Sequence, residues 1–173
     1  MTPLDAIRRF GDPVLLQECE PCGERNVESL AETLLRTVHA FRARHGWGRA
    51  IAAPQVGEPV RLVAMAIDGR ETVLVDPAIE WRSTEVHELW DDCMSLPEIA
   101  VRVRRHERVS VRYRELDGSE AAFERADPAL SELLQHELDH LDGVLMTVRA
   151  VPGSPLVARE NRELVAPLAP RRV

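Results

Sequence analysis

The stretch QHELDH, residues 135–140, determines how this chain folds and where its chemistry lies. Positions i and i+4 of an α-helix are neighbours on one face, so His136 and His140 could hold the same divalent cation. Glu137 would then stand beside that cation, where a carboxylate can take up and pass on a proton of a water molecule. Because such a short pattern also arises by chance on surface helices, its meaning depends on the rest of the chain.

The residues around this stretch predict the helix that the pattern requires. Asp127 is a good N-cap, Pro128 suits the first helical position, and Gly143 can end the helix. Glu137 falls within the apolar stripe, where desolvation would raise the pKa of its carboxyl toward that of a general base working near neutral pH. The stripe itself consists of leucines at intervals of three and four: Leu130, Leu133, Leu134, Leu138 and Leu141.

A third candidate ligand lies upstream, at Cys93 in the segment DDCMSLP, residues 91–97. One thiolate and two imidazoles would leave the fourth position of a tetrahedral site open to water, which distinguishes a catalytic metal site from a closed structural one. A free cysteine is also often only a small buried residue, and this alternative stays open on the segment alone.

The composition is that of an ordinary soluble globular protein, with 45% hydrophobic and 29% charged residues among 173. The net charge of −7 gives no reason to expect direct binding of nucleic acid, and no apolar run approaches the roughly 20 residues of a membrane helix. The odd number of three cysteines suits a reducing compartment, so we expect a cytoplasmic protein. Cys19 and Cys22 form an isolated C-x-x-C pair. We interpret them as cysteines in a loop rather than as a redox or metal site.

Hydrophobic periodicity predicts two helices with strands between them. Apolar residues at helical spacing predict an N-terminal amphipathic helix over residues 27–45. A short extended arm, broken by a Gly-Asp-Pro turn at residues 11–13, is predicted over residues 6–16. Alternating segments predict strands, two of them joined by a turn at Asp68-Gly69: residues 60–67, 72–75, 79–89, 108–116 and 120–124. The order predicts an α+β fold with mainly antiparallel sheets packed around the central C-terminal helix.

Three segments in this order resemble the peptide deformylases: GRAIAAPQ at residues 48–55, DCMS at 92–95 and QHELDH at 135–140. The resemblance covers about residues 6–149 and implies a single deformylase-like domain over residues 1–173, with a proline-rich tail over residues 150–173. The prolines of this tail argue against a long terminal helix: Pro152, Pro155, Pro167 and Pro170.

The resemblance also implies roles for the site residues. One divalent metal ion per chain, most commonly Fe²⁺ but also Zn²⁺, Ni²⁺ or Co²⁺, would be bound by three ligands: Cys93, His136 and His140. Glu137 would take a proton from the attacking water and hand it to the leaving amine. The oxyanion formed on the attacked carbonyl would accept hydrogen bonds from Gln55 and from the backbone N–H of Met94.

The reaction that this resemblance implies is removal of the formyl group from the N-terminal methionine of formylated peptides, with release of formate. Formylated peptides would therefore be the partners. A transient contact with the ribosome is a further expectation, although the tail lacks the basic terminal helix that some members use for docking. We expect neither a membrane nor nucleic acid as a direct partner.

The departures from the family pattern cluster around the substrate. Ala50 stands in place of a second glycine, and Asp92 in place of the glycine before the cysteine. Ala100 stands where a substrate-contacting arginine is expected, a role that Arg102 could take if the loop shifts register. The residues expected near the substrate are nine: Gly48, Arg49, Ala50, Ile51, Leu89, Asp92, Ala129, Glu132 and Leu133.

Arg49 and Glu132 fall among positions that line an apolar side-chain pocket in the family. If paired there, they would polarise the pocket and disfavour an apolar side chain; alternatively, both point to solvent. Two other functions therefore stay open: a hydrolase of the same type acting on a different N-formyl or N-acyl substrate, and a catalytically silent homologue that binds a metal or a peptide.

Overall fold

The computed structural model describes residues 3–153, 156–162 and 164–165. The described part of the chain has two α-helices, α1 (Glu28–His45) and α2 (Pro128–Leu141), and most of the strands lie between them in sequence. The strands are β1 (Ala50–Ala52), β2 (Leu62–Ile67), β3 (Arg70–Arg82), β4 (Val86–Cys93), β5 (Leu96–His106), β6 (Val109–Arg114), β7 (Glu120–Phe123) and β8 (Leu156–Ala158). In the described part of the chain no helix is long and apolar enough to cross a membrane.

The strands form two antiparallel sheets. The larger has the order β1-β2-β3-β6-β7, and the smaller has the order β4-β5-β8. Helix α2 contacts strands of both sheets, including β1 and β6 of the larger and β5 of the smaller. The predicted α+β fold, with antiparallel sheets around the C-terminal helix, is confirmed.

Helix α1 closes one side of the larger sheet, against β2. It begins after Val27 and ends at Gly46, whose φ of 76° gives the left-handed conformation that glycine adopts without strain. The apolar stripe that predicted this helix is its buried face, including Leu34, Val38 and Phe41. The prediction of a helix over residues 27–45 is therefore confirmed to within one residue at its start.

Helix α2 begins and ends at the predicted signals. The Asp127 carboxylate accepts hydrogen bonds at 2.9 Å from the backbone N–H groups of Ala129 and Leu130. At the other end, Gly143 has a φ of 68°, and a Cβ there would lie 2.7 Å from the carbonyl oxygen of Leu16. Only glycine fits this approach, so the chain must leave the helix there. Residues 133–141 are all buried, which fixes α2 at the centre of the molecule.

Two local predictions were wrong, and one strand was not predicted. Residues 6–16 are not an extended arm throughout, because Asp12 caps a short 3₁₀ helix at Pro13–Leu16. Residues 79–89 do not form one strand, because the Ser83 hydroxyl donates to the carbonyl of Glu85 and the chain turns between β3 and β4. The tail contains a strand, β8, that the prolines gave no reason to expect; Pro155, Pro167 and Pro170 lie outside the described residues.

Cys19 and Cys22 are free, buried and in loop segments. Burial raises the pKa of each thiol to about 11, so both stay protonated near neutral pH and are poor nucleophiles and poor metal ligands. The interpretation of this C-x-x-C pair as loop cysteines agrees with these surroundings.

Candidate functional site

The two sheets and α2 bring three potential metal ligands together. His136 and His140 project from one face of α2, and Cys93 ends β4 where its register with β5 shifts. The Cys93 sulfur lies 3.3 Å from Nε2 of His140, and one ligand atom of each of the three residues lies within 4.8 Å of the others. All three side chains are buried.

This cluster fits a single divalent cation. Bonds of about 2.0–2.3 Å from one ion to sulfur and nitrogen require ligand atoms within roughly 4 Å of one another, close to the observed spacing. Burial lowers the pKa of His140 well below its usual value, so that this ring is neutral, as a metal ligand must be. Burial would also lower the pKa of His136, but Asp91 raises it well above its usual value, so this ring would release its Nε2 proton on binding a metal. The donor set of one sulfur and two nitrogens leaves a coordination position for a non-protein ligand.

A buried network of charged side chains orients the ring of His136. Its Nδ1 lies 2.8 Å from Asp91, which leaves Nε2 as the nitrogen for a metal. Asp91 also accepts a 2.7 Å hydrogen bond from Arg105, which donates at 2.9 Å to Asp139. Burial alone would raise the pKa of Asp91, but the charges of His136 and Arg105 hold it well below its usual range. Asp139, bonded also by Arg149, belongs to this network rather than to the ligand cluster.

Glu137 follows the candidate ligand His136 on α2. Its side chain is buried, and among the described residues its Oε2 has no hydrogen-bond partner. Burial raises the pKa of this carboxyl to about 7, despite the opposing charge of His136. A carboxyl with that pKa can both accept and release a proton near neutral pH.

Gln55 is oriented as a hydrogen-bond donor toward the cluster. Its Oε1 accepts a 2.9 Å bond from the backbone N–H of Ala52, so its Nε2 points toward the Ser95 hydroxyl at 3.2 Å and the Cys93 sulfur at 3.5 Å. No sequence signal had indicated that Ser95 contacts this cluster. Its backbone N–H also lies 3.4 Å from the Cys93 sulfur, the kind of contact that stabilises a thiolate.

A cavity of about 420 Å³ adjoins these groups and is lined by three of them, Gln55, His136 and Glu137. Met94, buried, lines it beside Gly48, where a Cβ would come within 2.7 Å of the Met94 methyl carbon. Gly48 also has a φ of 114°, a conformation that favours glycine, so the backbone accounts for the glycine of the GRAIAAPQ segment. We call the three candidate metal ligands together with Glu137 the floor of the site: Cys93, His136, Glu137 and His140. Of these, His136 and Glu137 line the cavity.

The comparisons with known proteins agree with this arrangement. A family model described as polypeptide deformylase matches residues 4–155. The chain belongs to the polypeptide deformylase family. A peptide deformylase of Thermotoga neapolitana is 35% identical over 155 residues, which cover 90% of this chain and 92% of that protein. Peptide deformylase 2 of Gloeobacter violaceus is 37% identical over 151 residues, covering 83% of this chain and 78% of that protein.

Solved deformylase structures share the fold. The crystal structure of the Thermus thermophilus peptide deformylase superposes with a TM-score of 0.77 at 32% identity, covering 87% of this chain and 86% of that one. A Synechococcus elongatus peptide deformylase in complex with actinonin gives a TM-score of 0.74 at 31% identity, covering 84% of this chain and 78% of that one.

Six of the nine residues expected near the substrate line the cavity: Gly48, Arg49, Ala50, Asp92, Glu132 and Leu133. The other three do not. Ile51 is fully buried in the core against α1, and Leu89 packs beside Cys93 in the smaller sheet. Ala129 lines a second, larger groove. Its carbonyl oxygen accepts a 3.2 Å hydrogen bond from Arg49, a residue that lines the cavity.

Arg49 and Glu132 form an ion pair at the cavity wall. Arg49 Nη2 lies 2.7 Å from Glu132 Oε2, with the glutamate side chain largely buried and the arginine partly exposed. Burial raises the pKa of Glu132, and the arginine opposes that rise. This wall of the cavity is therefore polar in this member of the family.

Two residues that sequence reasoning missed also line the cavity, Arg159 and Arg162. Both guanidinium groups contact the Asp92 carboxylate. Arg102 does not reach the cavity, because it pairs with Glu88 on β4. The only sequence signal was the unexplained acid at position 92, which stands in place of a glycine. We call the outer residues of the cavity its mouth: Arg49, Asp92, Glu132, Arg159 and Arg162.

Proposed function

We propose that this chain is a metal-dependent amidase that removes the formyl group from the N-terminal methionyl residue of formylated peptides and releases formate. The observation that carries the proposal is the combination of the floor with Gln55, whose Nε2 lies 3.5 Å from the Cys93 sulfur, beside one cavity. A metal-binding protein without activity needs the ligands, but it needs neither a carboxyl poised near neutral pH nor an oriented amide donor. The deformylase relatives support the same reaction.

Cys93, His136 and His140 would hold the metal ion, for which we propose Fe²⁺, with Zn²⁺, Ni²⁺ or Co²⁺ as alternatives. The thiolate ligand favours such transition metals over Mg²⁺ or Ca²⁺. A divalent ion there supplies Lewis acidity, which makes water a competent nucleophile at neutral pH.

The residues of the chain handle the proton and the developing charge. As the water oxygen bonds to the formyl carbon, Glu137 accepts a proton from it and delivers a proton to the peptide nitrogen as the C–N bond breaks. The carbonyl oxygen becomes negative in that step, and Gln55 Nε2 and the backbone N–H of Met94 donate to it. The products are formate and a peptide with a free amino terminus.

We propose further that the chain acts as one domain in the cytoplasm on short or nascent formylated peptides. The three free cysteines fit a reducing compartment. A contact with the ribosome would be transient, because the prolines of the tail disfavour a basic terminal helix for docking.

A second candidate function keeps this chemistry and changes the substrate. The Arg49–Glu132 pair makes one wall of the cavity polar, and a polar wall left without partners disfavours an apolar methionine side chain. A different N-formyl or N-acyl compound, with a polar group beside the scissile amide, would then be the preferred substrate.

The decisive experiment measures formate release from a formyl-methionyl peptide by the full chain loaded anaerobically with Fe²⁺ or with Ni²⁺. The control is the Glu137→Ala variant loaded in the same way. Release well above that control supports the proposal. If wild type and control are equal on every N-formyl substrate, the chain is a silent homologue. Faster hydrolysis of formyl peptides with a polar first residue selects the second candidate.

A further inference from the structure

The described part of the tail brings two arginines to the cavity. Strand β8 pairs with β5 so that Val157 stands opposite Ala100. Directly after β8 the chain makes a 3₁₀ turn, Arg159–Asn161, and Arg159 and Arg162 both line the cavity. The side chain at position 100 on β5 is only a buried methyl group, so the cations at this edge come from the tail.

Both arginines are held in place at the mouth. They contact the same oxygen, Oδ2 of Asp92, Arg159 through Nε and Nη2 at 3.3 Å and Arg162 through Nη1. The guanidinium of Arg159 also lies over the ring of Trp47, with its carbon 3.9 Å from the ring centroid. Two guanidinium groups carry ten N–H donors between them, and one carboxylate oxygen uses only a few.

The charges around the cavity do not cancel. Its lining contains four arginines and three acids: Arg42, Arg49, Arg159, Arg162, Asp92, Glu132 and Glu137. Arg49 is matched by Glu132, whereas Arg42 donates to two backbone carbonyls, those of Gly48 and Ala66. Asp92 alone faces both tail arginines. The cavity is thus positive in a chain whose net charge is −7, and it attracts an anionic ligand.

We propose that Arg159 and Arg162 form a carboxylate-binding subsite, so that the chain prefers short N-formyl peptides carrying a carboxylate near the formylated residue. This inference rests on the proposed deformylase function. The planar fork of an arginine binds a carboxylate through two parallel hydrogen bonds, and a cavity of about 420 Å³ suits a short peptide. The carboxylate is either the C-terminus of the peptide or an acidic side chain, and both have the same chemistry.

The first test needs only the wild-type, metal-loaded chain and three substrates of equal length. These are a formyl-methionyl tripeptide with a free C-terminus, the same peptide as its C-terminal amide, and an amide with aspartate at the second position. We expect kcat/KM to be roughly tenfold higher for at least one anionic peptide than for the neutral amide. The preferred anion identifies the source of the carboxylate. Equal kcat/KM for all three overturns the proposal.

The second test assigns the preference to the tail arginines. Arg159→Gln combined with Arg162→Gln should raise KM for the anionic peptide about tenfold and leave kcat and the neutral amide nearly unchanged. Arg112→Gln is the matched control, because Arg112 also pairs with a carboxylate, Glu80, but lies outside the cavity. If the double variant loses the same factor on the acid and the amide, the arginines only hold the tail, and the proposal is overturned.

A binding measurement separates this proposal from the proposed function. Calorimetric titration of the Glu137→Ala chain with the anionic peptides and with the neutral amide measures binding affinity in the absence of turnover. Tighter binding of the anionic peptide that is lost in Arg159→Gln with Arg162→Gln supports the subsite even if no formate is released from any substrate. Equal affinity for acid and amide contradicts the subsite even if the chain is an active deformylase.

Discussion

The floor and the mouth of the cavity are built in different ways. The floor takes three of its four residues from one helix, and all four are buried. The mouth joins residues from distant parts of the chain, with Arg49 and Glu132 separated by 83 positions and Asp92 and Arg162 by 70. The mouth is also more exposed, and 43% of the Arg49 side chain is accessible.

This contrast separates the part of the site that is general to the family from the part that belongs to this chain. The floor has the residues expected of a deformylase, held by a buried network through Asp91 and Arg105. At three positions of the mouth, 49, 92 and 132, charged groups stand where the family resemblance implies glycine or an apolar side chain. Changes at the floor should therefore abolish turnover, whereas changes at the mouth should alter which substrate is used.

The largest effect is expected at Glu137. Replacement by alanine removes the carboxyl that moves the proton, and kcat should fall roughly thousandfold. Metal content by elemental analysis should stay at one ion per chain, because Glu137 is not among the three ligands. A fall of less than tenfold with full metal content would show that another group moves the proton.

The next effect is expected at Gln55, beside the floor. Gln55→Ala removes one donor to the developing oxyanion, so kcat should fall about a hundredfold with a small change in KM. Steady-state kinetics on a formyl-methionyl peptide measures this, with the exposed Gln17→Ala as the control. A rise in KM with unchanged kcat would instead make Gln55 a group that binds the ground state.

A smaller change, in preference rather than in rate, is expected at the mouth. Replacing both Arg49 and Glu132 by isoleucine makes that wall apolar, and the ratio of kcat/KM for formyl-methionyl over a formyl peptide with a polar first residue should rise about tenfold. The double replacement avoids leaving one buried charge unpaired. No change in this ratio would mean that the pair does not contact the first side chain.

The smallest effect on activity is expected at Asp76, an anchored carboxylate outside the cavity. Burial would raise its pKa, but the backbone N–H of Cys22 and the guanidinium of Arg114 lower it below the usual 3.8. Because the folded-state pKa is the lower one, the ionised group stabilises the fold above pH 3.8, and this stability is lost as the pH falls through the folded-state value.

Asp76→Asn should therefore lower the free energy of unfolding more at pH 7 than at pH 3, with formate release unchanged. Asparagine keeps the shape and tolerates the φ of 50° at this position. Urea unfolding at the two pH values measures the difference, and Asp68→Asn, at an exposed aspartate with a φ of 49°, serves as control. Equal destabilisation at both pH values would mean that packing, rather than charge, anchors this loop.

The sequence was sufficient to predict the arrangement of the floor, because local geometry determines much of it. A helix with a clear cap and an apolar stripe puts His136 and His140 on one face whatever surrounds them. Glu137 stood out as an acid within that stripe. The position of Cys93 depended on the family resemblance, since nothing local connects β4 to α2.

The mouth could not be predicted in the same way. Arg159 reaches the cavity only because three residues of β8 pair with β5, and a three-residue strand among prolines leaves no periodic signal. Ile51 and Leu89 lie near the motifs in sequence, yet strand alternation and the β4–β5 pairing turn their side chains into the core. Contacts set by pairing between distant segments are not encoded in the spacing of either segment.

X-ray absorption at the metal edge of the loaded chain examines the floor without relying on turnover. We predict one sulfur at about 2.3 Å, two imidazole nitrogens at about 2.0–2.1 Å and one light atom from a non-protein ligand. Cys93→Ser should remove the sulfur signal. Absence of sulfur from the wild-type spectrum, or a fourth protein ligand in place of the exchangeable one, would contradict a catalytic metal held by Cys93, His136 and His140.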